Sequence, residues 1–337
     1  MKKIFQYSII LIAFLAFSSC EKVLMDSEPA TTNMSIFEQI WKFTDEKYSF
    51  FEYKNVDWTA MKAKYQSRIN ENMSQEELLK VCDELLDNLK DGHVNIKTKF
   101  DRTRSWDFVL NNPSNFDKKL IERSYYKDKE KYVGPFEYFD FGDVAYVYYN
   151  AFSADFSKDD LDYIMAQAKD KKGFIIDIRD NPGGSSDNVT LLAERFCKEK
   201  TKLGESWRKS GTGHNDFIKS TMYLNVNEDI TRFLDKPVVV LTNRQSYSAA
   251  SFFPFTMKAL SNVTLIGDTT GGGGGVPAFT ELSNGWILRV SSTQTFDNKG
   301  FNIENGIPPT IKINLDPAQV QIGKDAILER ALKFIRG

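Results

Sequence analysis

The residues of this chain that could do covalent chemistry are a few serines, two histidines and a glycine turn. Ser246, Ser248 and Ser251 lie in "LTNRQSYSAASFFPF", residues 241–255, where the apolar run "PVVV" gives way to a helical segment. A strand-to-helix joint presents a side chain at the sheet's edge, beside helix N-terminal N–H groups that can stabilise an oxyanion. Ser248 stands at that joint. The plain alternative is a serine that caps the helix, and no Gly-x-Ser-x-Gly elbow is present. A serine hydroxyl needs a base to take its proton, and the chain has two histidines. His214 lies in "KSGTGHND", a polar, glycine-containing stretch that reads as a mobile loop. His93 follows Asp91-Gly92 and opens "HVNIKTKF". That alternation predicts a strand with Val94, Ile96, Thr98 and Phe100 on one face and His93 on the other. A strand start behind a rigid helix favours His93 as the base; a surface histidine beside a turn is the alternative. Composition cannot choose the orienting acid among 46 carboxylates. In "DIRDNPGG", Gly183 and Gly184 would let backbone approach a ligand as an oxyanion donor must. The same Asn-Pro-Gly-Gly is also ordinary turn chemistry. "GDTTGGGGGVP" lacks a phosphate-loop ending and precedes a hairpin, so it reads as a flexible loop beside a cleft.

The elements that must position these groups fall into two patterns. Residues 35–90 are helical. Ser35 with Glu38, and Ser74 with Glu77, form capping-box pairs. Trp58, Met61 and Tyr65 mark a second helix, and Leu78, Cys82, Leu85 and Leu89 give a 3.6-residue stripe. Residues 101–140 are polar and aromatic, a connection with room for one hairpin. From 141 the order is strand "DVAYVYYNAF", helix capped by Ser157 and Asp160, strand "GFIIDI", helix "DNVTLLAERFCKEK", strand "PVVVLTN", helix, strand "VTLIG". Runs apolar on both faces fit covered strands of a mostly parallel sheet with right-handed crossovers. A hairpin around Asn284-Gly285, a strand "TIKINL" and a helix "DAILERALKFI" close the chain.

Composition excludes other classes. With 44 basic and 46 acidic side chains, no basic excess points to nucleic acid. Two histidines and three cysteines make no multi-histidine metal site, and neither HExxH nor paired CxxC is present. "MKK", then "IFQYSIILIAFLAF" and "SSC", reads as a lipoprotein signal ending before Cys20, which would carry acyl chains. An ordinary secretory signal with an incidental cysteine is the alternative. Residues 21–34 then form a polar tether. Cys82 and Cys197, each within a helical pattern, read as buried free thiols, with a disulfide between them left open.

The blocks together resemble the tail-specific, or C-terminal processing, serine peptidase family. "VAYVYYNAFS", "GFIIDIRDNPGGSSDNV", "PVVVLTNRQSYSAASF", "LIGDTTGGG", "LSNGWILRVS" and "NIENGIPPTIKI" match it in order and spacing over residues 141–315. "IWKFTDEKYSFFEYKNVDW" and "LLDNLKDGHVNI" resemble the helical segment of its tricorn-like and retinoid-binding-protein-like branch. The resemblance implies an α/β fold, a ClpP/crotonase-like catalytic core with an N-terminal helical domain. It places the nucleophile on Ser248, the base on His93 and an orienting acid on Glu304. It assigns the oxyanion N–H groups to Ala249 and to Gly184 or Gly183. The lysine of the Ser–Lys branch would fall on Gly273 and is lost, a serine common before the histidine is Gly92, and Ser251 stands where many relatives carry glutamate. A PDZ domain does not fit between 96 and 140.

The implied organisation is a signal over 1–19, a tether over 20–34, a helical domain over 35–95, a connection over 96–140 and a catalytic domain over 141–337. The expected function is a lipid-anchored serine-type peptidase of the bacterial envelope. It would act on peptides or proteins through Ser248, His93 and Glu304, with no metal or organic cofactor. A non-catalytic binding protein for an apolar ligand or peptide on the same fold is the alternative.

Overall fold

The computed structural model describes residues 30–337. The expected signal, Cys20 and most of the tether lie outside the described residues. The first helix, Asn33–Lys47, starts earlier than the pattern predicts. Thr32, not Ser35, caps it, accepting the Ser35 N–H at 3.3 Å. The second runs Trp58–Gln66 and the third Gln75–Asp87, the latter closed by both bonds of the Ser74/Glu77 capping box. The predicted stripe faces inward: Leu78, Cys82, Leu85 and Leu89 are fully buried with Ile36, Phe37 and Ile40. Burial pushes the Cys82 thiol up to about 12. Cys82 and Cys197 are both free.

Helices alone do not close this core. Strand β1, Asn95–Lys97, adds Ile96, and a later hairpin adds Leu282, Trp286, Leu288 and Val290. The predicted strand from His93 to Phe100 is thus cut to three residues. The chain turns back after Lys97, where Thr98 Oγ1 holds the Phe100 and Asp101 N–H groups and Thr103 N–H returns to the Ile96 carbonyl. His93 precedes the strand, in a turn.

The strands that follow are β2 Lys131–Val133, β3 Phe136–Asp140, β4 Val144–Tyr149, β5 Gly173–Asp177, β6 Thr201–Lys209, β7 Phe217–Leu224, β8 Val238–Thr242 and β9 Val263–Gly267. Then come β10 Pro277–Glu281, β11 Ile287–Ser291, β12 Thr293–Asp297 and β13 Ile311–Lys312. The main sheet has the order β13-β9-β8-β5-β4-β3-β2, parallel from β13 to β4. The β2–β3 hairpin of the connecting segment extends it antiparallel to β4. Both faces are covered. On β4, Val144 and Tyr146 meet the helix Ala326–Arg336, while Ala145, Val147 and Tyr149 meet the helices Lys158–Ala168, Ser186–Ala193 and Ala249–Lys258. This explains strand sequences that are apolar at every position. Because β5 and β8 are adjacent and parallel, the turns leaving their carboxyl ends, "RDNPGG" and "NRQSYS", are neighbours.

Two antiparallel three-stranded sheets flank this body, β12-β6-β7 and β1-β11-β10. The β6–β7 hairpin carries no clear apolar alternation because β7 is largely exposed. Its tip holds His214, which is not free. His214 Nε2 lies 2.8 Å from Asp45 Oδ1, and its ring lies 4.5 Å from that of Phe51. The stretch that reads as a mobile loop is tied to the helical unit.

Candidate active site

Ser248 sits at the end of β8, one residue before the helix Ala249–Lys258, with φ 59° and ψ −121°. Few non-glycine residues adopt this conformation, which costs about 1–3 kcal/mol. The Ser248 side chain makes no capping bond. Its Oγ instead lies 2.9 Å from His93 Nε2. The neighbouring serines are structural. Ser246 is buried and donates to the Ile178 carbonyl at 2.8 Å. Ser251 is buried, donates to the Ser246 carbonyl at 2.9 Å, lies 2.9 Å from Thr270 Oγ1, and accepts the Gly272 N–H at 3.0 Å. At the position where relatives often carry glutamate, this hydroxyl pins the glycine run to the joint.

His93 reaches Ser248 because its turn is fixed on both sides. Its N–H donates to Asp91 Oδ1 at 2.8 Å, and its carbonyl accepts from Asn95 Nδ2 at 2.9 Å. The ring packs 4.9 Å from that of Tyr247, which stacks on Phe108 at 4.8 Å. Burial holds the imidazole down at about 4, against a smaller opposing pull from the Asp91 charge. The ring is therefore neutral near pH 7 and able to accept a proton. Among the described residues Nδ1 makes no hydrogen bond of good geometry, although the Gly275 backbone acts on the ring and favours its protonated form.

Glu304, expected to orient the ring, makes no hydrogen bond to it. Its Oε1 is 2.6 Å from Lys54 Nζ and its Oε2 accepts the Gly274 N–H at 3.0 Å. Asp91 Oδ2 lies 3.8 Å from the same ammonium. Two buried carboxyls thus share one buried cation. Burial, then the Asp91 charge, pushes Glu304 up to about 8. Burial opposes the Asp91 charge as well, but Lys54 and His93 outweigh it and hold that carboxyl below its usual range. Burial likewise disfavours the Lys54 ammonium, which the two acids keep above its ordinary value. Near pH 7 the cluster is one ammonium, one carboxylate and one neutral acid. The charge set beside His93 is that of Asp91.

Of the N–H groups expected as oxyanion donors, two are free. Gly183 N–H is taken by Asn181 Oδ1 at 2.9 Å and Ser248 N–H by the Gly272 carbonyl at 2.8 Å. Among the described residues the N–H groups of Gly184 and Ala249 have no partner, the latter as the first residue of its helix. Gly184 has φ 143°, and a Cβ there would lie 2.0 Å from Ser153 N, so the backbone approach needs glycine. Asn181 organises this turn, binding the Tyr149 carbonyl and the Phe152 N–H as well.

The position of the lost lysine is filled. A Cβ on Gly273, φ 75°, would come within 2.5 Å of the Tyr247 ring. A side chain at Gly92 would meet Phe108 and the Tyr247 hydroxyl, both at 2.9 Å. A cavity of about 220 Å³ adjoins the cluster, lined by Asp91, Gly92, Phe108, Tyr247, Gly273 and Glu304 among others. Among the described residues no group of three or more His, Cys, Asp or Glu converges as a metal site.

Sequence reasoning brings Ser248, His93, Gly184 and Ala249 to one place. It misses Lys54, Asp91, Asn181 and Tyr247. Asp91 had a signal: an aspartate two residues before a histidine, in a turn, is placed to accept that residue's N–H. Lys54 had none, since its partner is 250 residues away.

Comparisons with known proteins bear on the family. Residues 143–313 match Peptidase family S41 and residues 29–87 match the Tricorn protease C1 domain. The carboxy-terminal processing protease CtpA of Bacillus subtilis is 29% identical over 174 residues, 51% of this chain and 35% of that protein. The tricorn protease of Thermoplasma volcanium is 28% identical over 168 residues, 49% of this chain and 15% of that protein. The chain therefore spans about a third or less of these curated relatives. A solved structure from Parabacteroides merdae is 37% identical, covers 91% of this chain and 98% of its own, and superposes with a TM-score of 0.86.

Proposed function

The chain belongs to peptidase family S41, and from that premise we propose that it is a serine peptidase with Ser248 as nucleophile and His93 as base. What supports the reading is the 2.9 Å contact between Ser248 Oγ and His93 Nε2, beside two unpaired N–H groups. Ser248 Oγ adds to the substrate's carbonyl carbon as its proton passes to His93 Nε2. The carbonyl electrons move to oxygen, which the Gly184 and Ala249 N–H groups stabilise, an effect of about 10²–10³-fold per donor. The C–N bond then breaks, its electron pair leaves with nitrogen, and the imidazolium returns the proton to the amine. Water repeats the sequence on the acyl-serine, again with His93 as base, releasing a carboxylic acid and free Ser248.

The imidazolium needs a nearby anion. In this arrangement Asp91 supplies it, and Lys54 retains Glu304. The Ser–His–Glu mechanism implied by family resemblance then requires Glu304 to leave Lys54 for Nδ1. Carboxy-terminal processing of peptides or proteins carries over from the Bacillus relative as the expected activity. Anchoring to the bacterial envelope by lipidated Cys20 rests on the amino-terminal sequence alone. Loss of labelling by a fatty-acid analogue in Cys20→Ala would support it, and unchanged labelling would overturn it.

The deciding experiment for the peptidase reading is fluorophosphonate labelling of the folded chain beside hydrolysis of a quenched peptide panel. We expect labelling at Ser248, and at least a roughly 10³-fold loss of hydrolysis in Ser248→Ala. A folded protein that neither labels nor cleaves would favour the binding-only alternative.

A further inference from the structure

Among the described residues Arg289, next to the candidate active site, has no carboxylate within 4 Å. It lies on β11, paired with Asn95 of β1 on one side and Phe279 of β10 on the other. The neighbours Leu288 and Val290 point into the helical core with Ile96. By strand alternation, the row Asn95–Arg289–Phe279 lies on the opposite face. Asn95 is two residues from His93, at most roughly 7 Å along the chain, and its amide binds the His93 carbonyl. The guanidinium acts on the ionisation of His93 and Tyr247 and is itself acted on by Asp91. It therefore lies in the electrostatic neighbourhood of the site.

The arginines buried deepest in this protein find acids, whereas Arg232 and Arg330, half-buried like Arg289, have none within 4 Å among the described residues. Arg179, fully buried, has Asp177 at 2.6 Å and Asp325 at 2.8 Å. Arg244 has Asp268 at 3.8 Å. Arg289 is half-buried, its Nε is shielded and without any partner, and its guanidinium carbon lies 5.6 Å from the Phe279 ring centroid. A second cation strengthens the field: Arg102 Nε donates to Asn95 Oδ1 at 3.2 Å. Burial, with Arg102 beside it, makes the Arg289 charge harder to hold. A half-desolvated fork of donors with no carboxylate within 4 Å among the described residues is matched by a planar carboxylate.

We propose that Arg289 is a specificity-determining residue that binds a carboxylate of the substrate, within a few residues of the bond cleaved. The carboxylate is an acidic side chain or a free carboxyl terminus. This rests on the peptidase reading. Arg102 adds to the attraction, and Phe279 holds the guanidinium in place from its other side.

The test uses quenched peptides in which one glutamate is scanned through the sequence, each beside its glutamine counterpart, with the carboxyl terminus either free or amidated. We expect at least one carboxylate placement to raise kcat/KM about tenfold over its neutral counterpart. A preference that follows glutamate identifies a side-chain ligand; one lost on amidation identifies the terminus. In Arg289→Gln the ratio falls to about one, and in Arg289→Glu it inverts in favour of lysine at that position, which a merely structural residue would not produce. Hydrolysis with no carboxylate preference, or a preference unchanged in Arg289→Gln, overturns the proposal and leaves the peptidase reading standing. If the native chain cleaves and labels nothing, the peptidase reading falls. Fluorescence anisotropy of the same peptides on Ser248→Ala then decides the role of Arg289 by the same ratios.

Discussion

Replacing Glu304 with glutamine should change how the stability of this protein depends on pH. Burial beside Asp91 raises the Glu304 carboxyl from 4.5 to about 8. Between those values the folded chain holds a proton that the unfolded chain has released. The stabilisation is complete below about pH 4.5 and is lost as pH rises through about 8. At 1.36 kcal/mol for each tenfold change, the full difference approaches about 5 kcal/mol. Sharing of the proton between two carboxyls around Lys54 reduces it, so about 2–5 kcal/mol is expected. Other groups of the site do not imitate this trend. His93, held at about 4, contributes stability that is lost as pH falls from about 6.5 toward 4, the opposite sign, and it is present in both proteins. Asp91 is held below the usual carboxylate range and Lys54 above the usual amine range, so both titrate outside this window. Urea unfolding followed by tryptophan fluorescence, from about pH 5 to about pH 8.5 at constant ionic strength, gives both curves. The native protein should lose about 2–5 kcal/mol relative to Glu304→Gln across that range. Parallel curves, within about 0.5 kcal/mol, would refute a protonated Glu304 and with it the charge assignment of the cluster.

The depressed imidazole sets the pH profile of hydrolysis. The acidic limb of kcat/KM should fall near pH 4, where burial places His93, and a limb at the ordinary histidine value of about 6.5 would contradict that burial effect. The strained backbone of Ser248, φ 59°, separates two substitutions. Ser248→Gly should unfold at higher urea than Ser248→Ala, by about 1 kcal/mol, because glycine is free of the Cβ penalty while giving back some of the gain as chain entropy. Equal midpoints would mean that the turn is not strained.

The fold was legible where a strand was covered on both faces. "GFIIDI" and "PVVVLTN" fit interior parallel strands, and their adjacency brings "NPGG" and "SYSAAS" together. Capping boxes at Ser74 and Ser157 were readable because the two partners lie three residues apart. What stayed hidden depends on long-range pairing. The β6–β7 hairpin is mostly exposed, so no apolar alternation announces it. The strand after His93 ends early because Thr98 starts a turn that its alternating sequence does not reveal. At the site, residue type and placement made Ser248 and His93 candidates, each beside a plainer alternative, and family resemblance chose between the readings. The acid did not. Local sequence offers no sign that Lys54 claims Glu304, or that the Tyr247 ring occupies the space where a lysine on Gly273 would reach.

The hairpin that completes the helical core has a consequence for when this chain becomes an enzyme. Ser49 binds the carbonyls of Ser291 and Thr293, at 3.1 and 2.9 Å, across 242 and 244 residues, and Lys54 waits for Glu304 across 250. A chain leaving the ribosome exposes its amino-terminal helices and His93 early, but nothing yet covers Leu288's place in their core. That core closes, and the acid pair forms, only after about nine-tenths of the sequence has emerged. Contacts so distant in sequence form late. A nascent or truncated chain therefore carries His93 and Lys54 without the packing that holds them in place, and the site as a whole assembles last.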